Sequence, residues 1–194
     1  NFRGFCLFGL NISMPDVQQT ISDFYRVATE RDFARDFQFR VLSIDGGGAT
    51  DTTFEEDDLV YCTAASLPER AITNVAVPYM GLQFNIPGSV TYTGSEGYSL
   101  AFYCDQNSQI RQKFEDMSRD IFDDATSTGN YFAPRQSASI NLVQLDTQLE
   151  EVAGYKLVGA SVRNVGALEY TIAEGTGQKI TFTATMAYHY WQRN

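Results

Sequence analysis

The stretch Gln178-Lys179-Ile180-Thr181-Phe182-Thr183-Ala184-Thr185-Met186-Ala187-Tyr188-His189-Tyr190-Trp191 alternates bulky apolar with small or polar side chains almost to the end of the chain. A period of two sends successive side chains to opposite faces of a strand. Ile180, Phe182, Ala184, Met186, Tyr188 and Tyr190 share one face, while Thr181, Thr183, Thr185, Ala187 and His189 share the other. The pattern predicts one long C-terminal strand with a core side and a wet side. Its edge N–H and C=O groups need partners, because an unpaired edge recruits other chains. Thr181, Thr183, Thr185, His189 and Trp191 are therefore the candidates for an inter-subunit strand. Trp191, beside two tyrosines, has the character of an interface anchor. The reading points to sheet-based assembly rather than to a catalytic pocket.

Upstream, the same kind of pattern predicts strands over 37–44, 59–65, 98–104, 137–145, 155–163 and 170–172. Two runs, 71–77 and 82–86, flank Pro78-Tyr79-Met80-Gly81, with Pro and Gly placed as a turn requires, and Pro87-Gly88 closes the hairpin. The period changes to 3.6 over 108–124, where Ile110, Phe114, Met117 and Ile121 form a stripe behind an N-cap at Ser108. A second helix is predicted over 13–29 from Ser13, Pro15, Asp16 and the stripe Val17, Ile21, Phe24, Ala28.

The chain has 194 residues, 43% of them hydrophobic, with 14 Phe and 11 Tyr. That suits one β-rich domain over 1–194, with an N-terminal arm (1–13), a helix (14–30) and a β core (37–191) carrying the helix 108–124. The arm includes Phe2-Arg3-Gly4-Phe5-Cys6-Leu7-Phe8-Gly9-Leu10, whose glycines and internal Arg3 argue against a signal-peptide core. A formal net charge of −10 and a pI near 4.5 repel phosphate backbones and disfavour a DNA- or RNA-binding module. Cys6, Cys62 and Cys104 show neither a CxxC nor a metal-ligand spacing, so free thiols in a reducing compartment are expected. No run approaches the ~20 apolar residues of a membrane span, and a soluble protein made in a cytoplasm is expected.

The inventory for chemistry is thin. Asp45-Gly46-Gly47-Gly48 lacks the following Lys-Ser/Thr of a phosphate cradle. Asp51, Glu55, Glu56, Asp57 and Asp58 lack the alternating oxygen ligands of a calcium loop and read as a solvated loop. His189 is the only histidine, and no G-x-S-x-G elbow surrounds any serine. Asp123-Asp124 and Glu150-Glu151 are adjacent in sequence and read as solvated pairs. No catalytic residue, cofactor or metal is expected, and an interaction or structural protein remains.

Several collinear segments resemble the tail tube proteins of contractile-tailed bacteriophages. They are Asp32-Phe33-Ala34-Arg35; Cys62 with Ala65, Leu67 and Pro68; Pro78 and Met80 through Ile86-Pro87-Gly88; Arg111-Gln112-Lys113-Phe114; Asn164-Val165-Gly166 with Leu168; and Tyr188-His189-Tyr190-Trp191. The resemblance spans most of residues 16–191, and departs from the family in the arm and in the acidic loop after Gly48. It implies a mainly β fold, a barrel or sandwich core with one flanking helix and an N-terminal helix. It further implies hexameric rings that stack into the inner tube of a phage tail in the virion, assembled in the host cytoplasm. DNA would pass through without specific binding, and no membrane insertion is implied. The partners implied are further copies, the tail sheath, and baseplate and terminator proteins. Asp51, Glu55, Glu56, Pro78, Tyr79 and Met80 would reach the next ring, and Arg111, Lys113, Glu115 and Arg119 would face the sheath. A baseplate tube-initiator ring and the inner tube of a bacterial contractile injection system are the competing readings.

Overall fold

The computed structural model describes residues 21–46, 53–131, 133–172, 175 and 177–194. The chain divides into two compact units, 1–35 and 36–194. In the first, α1 (Ile21–Glu30) continues the predicted helical stripe. Its Phe24 ring stacks on Phe33, with centroids 6.2 Å apart. The expected Ser13 cap and the arm lie outside the described residues.

In the second unit two antiparallel four-stranded sheets surround a shared core. One has the order β1 (Phe39–Asp45), β8 (Ser139–Leu145), β9 (Glu151–Val158), β12 (Tyr190–Arg193). The other runs β10 (Ser161–Val165), β11 (Thr181–Ala187), β5 (Tyr98–Tyr103), β2 (Cys62–Ala64). Short pieces complete the order: α2 (Glu56–Val60), the hairpin β3 (Ala71–Tyr79) and β4 (Leu82–Thr91), α3 (Gln109–Ile121), and the pair β6 (Phe122–Asp123) and β7 (Thr128–Gly129). Among the described residues the sheets do not close into a barrel within one chain, which corrects that half of the expectation. Val41, Ile140 and Leu157 meet Leu100, Phe102 and Met186 in one core cluster. The Phe114 ring of α3 enters that cluster, 5.4 Å from Phe102 and 6.1 Å from Phe182.

The alternation of the terminal stretch is real but its continuity is not. Phe182, Ala184 and Met186 are buried, and Thr181 and Thr183 are exposed. At Tyr188-His189 the chain leaves one sheet, and β12 pairs with β9 in the other. The predicted strand 155–163 crosses at the same corner, where Gly159 and Ala160 separate β9 from β10. Gly159 has φ +73°, and a Cβ there would lie 2.0 Å from the His189 ring. Only glycine meets both demands, the left-handed backbone and the close approach. Paired strands that switch sheets together form corners of this kind.

Three further expectations change. Leu59 and Val60 belong to α2, whose Glu55 and Asp58 form a reciprocal capping box, so the acidic run is a helix start rather than only loop. Ser108 sits at φ 53° without capping α3. The Asp105 carboxylate instead accepts from the amides of Gln109 and Ile110. Residues 170–172 form no strand.

The core also carries a pH dependence. Burial pushes the Cys62 thiol from 9.0 up to about 11 against the opposing effect of its contact with the Ala64 carbonyl. Burial likewise raises the Tyr98 phenol, which donates to the Ser66 carbonyl at 2.6 Å. Both groups fold in their neutral forms, while the unfolded chain ionises at lower pH. The Cys62 contribution is therefore complete below about pH 9 and gone once pH passes about 11. Thermal melts should show a midpoint that falls from pH 9 to 11, with a shallower fall in Cys62→Val; a flat profile would contradict the assignment.

Candidate assembly interface

Among the described residues the hairpin β3–β4 pairs only with itself. Met80 and Gly81 both have positive φ, 48° and 81°, the pattern of the two-residue turn that matches strand twist. Pro78 thus lies within the strand rather than at a turn corner, and Pro87-Gly88 lies within β4 rather than closing it. No residue of β3 or β4 is buried. The apolar exposure is large: Tyr79 and Leu82 are each 65% accessible and Met80 85%. From Ala71 to Ser95 there is no charged residue, in a chain of net charge −10. An isolated two-stranded ribbon is marginal in water, and an uncharged apolar ribbon is suited to burial against another surface.

Its edges are less inviting than its faces. Pro78 in β3 and Pro87 in β4 have no N–H to donate, so neither edge extends through these positions into a further strand. The ribbon is built to dock by its faces.

The remaining candidates divide. Asp51 lies outside the described residues. Glu55 is spent on its capping box, and Glu56, 3.8 Å from Arg40, is 87% exposed at its side chain. Pro78, Tyr79 and Met80 gather at the free end of the hairpin. On α3, Arg111 pairs with Glu115 at 2.7 Å and also donates to the Gly166 carbonyl. Lys113 pairs with Asp58 and lies 5.7 Å over the Phe54 ring. These contacts tie the helix to its own body, leaving Arg119, 3.7 Å from Asp116, as the most exposed of the four proposed sheath contacts. Gln109, Gln112 and Ser118 share that exposed surface, and their weak polarity gave no signal in the sequence.

The inter-subunit strand needs correction in its pairing. β11 pairs with β5 along its whole length, and on its other side β10 covers Ala184–Ala187 and the Gly166 amide reaches the Thr183 carbonyl, so Thr183 and Thr185 present a face but no free edge while β10 stops short of Thr181. His189 sits at the corner, donating its amide to the Val158 carbonyl. Trp191 donates its indole N–H to the Glu69 carbonyl at 3.1 Å and packs edge-on to Tyr155. The sheets end instead on β1, β12, β10 and β2. Among the described residues no cluster of His, Cys, Asp and Glu is placed to hold a metal ion, and no helix is long and apolar enough to cross a membrane.

A model of the phage tail tube protein family matches residues 28–194. The chain belongs to that family. Its fold is shared with chains in three cryo-EM structures. A chain of the six-fold symmetrised anti-feeding prophage baseplate matches with TM-score 0.57 and 14% identity, over 84% of this chain and 97% of that one. A chain of the tube-terminating cap of the anti-feeding prophage matches with TM-score 0.57 and 10% identity, over 84% and 92%. A chain of the sheath–tube complex of an extracellular contractile injection system matches with TM-score 0.52 and 10% identity, over 91% and 99%. A search of curated proteins finds no significant match. Tail tube proteins are structural components of tail assemblies, not enzymes. The family match begins within α1.

Proposed function

We propose that this tail tube protein forms hexameric rings that stack into the inner tube of a phage tail, with the sheath bound outside and DNA passing through the bore. The observation that carries the reading is the uncharged, unpartnered hairpin. In a monomer it exposes apolar surface on a ribbon too thin to stabilise itself, and in a stack a second copy covers it. Heterologous contacts close sideways into a ring where the rotation closes, and a second set repeats along the axis as a helix where it does not. The six-fold symmetry of the baseplate structure supports six copies per ring, and the sheath–tube structure supports a sheath partner. The tips Tyr79 and Met80 then meet the next ring, and the surface around Arg119 meets the sheath.

Six copies carry a formal charge of −60, six times −10. Any share of it facing the bore repels phosphates and keeps DNA from adhering in transit. A baseplate initiator ring uses the same fold, and the baseplate relative favours keeping it as the second reading. Negative-stain microscopy of the purified chain tests both. Hollow tubes of six-fold rings that retain no short duplex DNA at physiological salt are expected. Rings that never lengthen would favour the initiator, and a monomer at every concentration would contradict both.

A further inference from the structure

The hairpin carries two apolar patches on opposite faces, separated by a bulge. Along its outer part, Val75 pairs with Ile86, Val77 with Phe84 and Tyr79 with Leu82. Directly paired residues share a face, so these six line one side. The other side there holds Asn74, Ala76, Pro78, Gln83, Asn85 and Pro87. Nearer the body the register slips by one residue, where Thr73 faces both Gly88 and Ser89. The bulge is built rather than accidental. The Thr73 hydroxyl lies 2.8 Å from that of Ser89 and accepts from the Ser89 amide at 3.2 Å. A Cβ on Gly88 would lie 2.9 Å from Val75 and 3.1 Å from the Thr73 carbonyl oxygen.

The extra residue turns β4 over. In a regular strand Leu82, Phe84, Ile86 and Val90 would all face one way, since a slip of one residue exchanges faces. With the bulge, Val90 pairs with Ile72 on the side opposite the outer patch. Ile72 and Val90 are 53% and 39% accessible, so this inner patch too is open in the single chain. The ribbon is therefore apolar on one face near its tip and on the other near its root.

We propose that the two patches take two different copies of this chain: the root patch, Ile72 and Val90, seats a neighbour in the same ring, and the tip patch seats a copy in the next ring. The proposal rests on the ring-and-stack reading above. The tip lies about 23 Å from the root, seven residues at ~3.3 Å each, far enough for the two patches to meet different copies. The root follows a segment held to the body through the Ser66 and Glu69 carbonyls, which accept from Tyr98 and Trp191, so a neighbour packed on the body can reach it. Both patches belong to the charge-free run Ala71–Ser95, and with both edges interrupted by proline the faces are what remain to bind. One hairpin thus links lateral closure to axial growth, because a ring closed around its roots holds all its tips in place.

The test compares Ile72→Asp with Phe84→Asp in the full chain, with Val90→Ser as a milder root variant, each checked for an unchanged thermal melt. Sedimentation should show root variants losing rings, with at least a tenfold rise in the concentration at which rings form. Phe84→Asp should keep six-fold rings that do not stack. Root variants that still form rings, or a Phe84→Asp chain that loses them, would overturn the division of labour. Loss of rings on deleting residues 1–13 while Ile72→Asp leaves them intact would assign lateral closure to the arm and also overturn it. Wild-type protein that never leaves the monomer would defeat the ring-and-stack reading itself.

Discussion

Phe84→Asp protein should accumulate as single rings and form no tubes at concentrations where the wild type is expected to polymerise. Phe84 is half-exposed in the single chain and makes no part of the core cluster, so the substitution leaves folding intact. In the proposed stack its ring would be buried, worth about 2 kcal/mol of apolar transfer. A carboxylate in that position forfeits this and adds a desolvation penalty of several kcal/mol. The combined loss, roughly 4 kcal/mol per subunit, lowers each contact about a thousandfold. Six such contacts act together in a ring, so growth is lost outright rather than slowed. Electron microscopy with length measurement checks the result, and tubes of normal length would show that the tip face stays uncovered.

Phe114→Ala should have the largest effect on the fold. Phe114 is fully buried and contacts Phe54, Phe102 and Phe182, with centroids 4.7, 5.4 and 6.1 Å away. It joins α3 to the inner face of a sheet and to the segment preceding α2. Truncation leaves a cavity between rigid elements, at a cost of about 3–5 kcal/mol, a large share of the ~5–15 kcal/mol that holds a domain folded. Thermal unfolding should move down by roughly 10 °C. A shift under two degrees would mean that this helix is not held by the core.

These two residues also mark what the sequence made legible. Phe114 lies on a stripe with helical spacing, and burial followed the stripe through Ile110 and Met117. Alternation likewise identified the buried face of β11. The break at His189 was illegible because it depends on a tertiary contact with Gly159, which no local pattern reports. Glu55 and Asp58 carried a capping signal hidden within a run of like charges. For the candidate interface, the hairpin and its free end were readable from two uncharged apolar runs. Its sidedness was not, since it depends on a register slip between strands. Helical spacing placed Arg111 and Lys113 outside the apolar stripe, yet each reaches a partner 55 residues away in sequence. Such contacts are set by packing, beyond the range of periodicity.

In the proposed tube the hairpin is covered by other copies of the same chain. A cryo-EM reconstruction of the assembled wild-type protein measures this directly. Six-fold rings are expected in which Val75, Val77 and Phe84 are buried against the next ring while Ile72 and Val90 are buried on the opposite face. Rings whose hairpins project uncovered into solvent, or are covered only by their own chain, would contradict that arrangement.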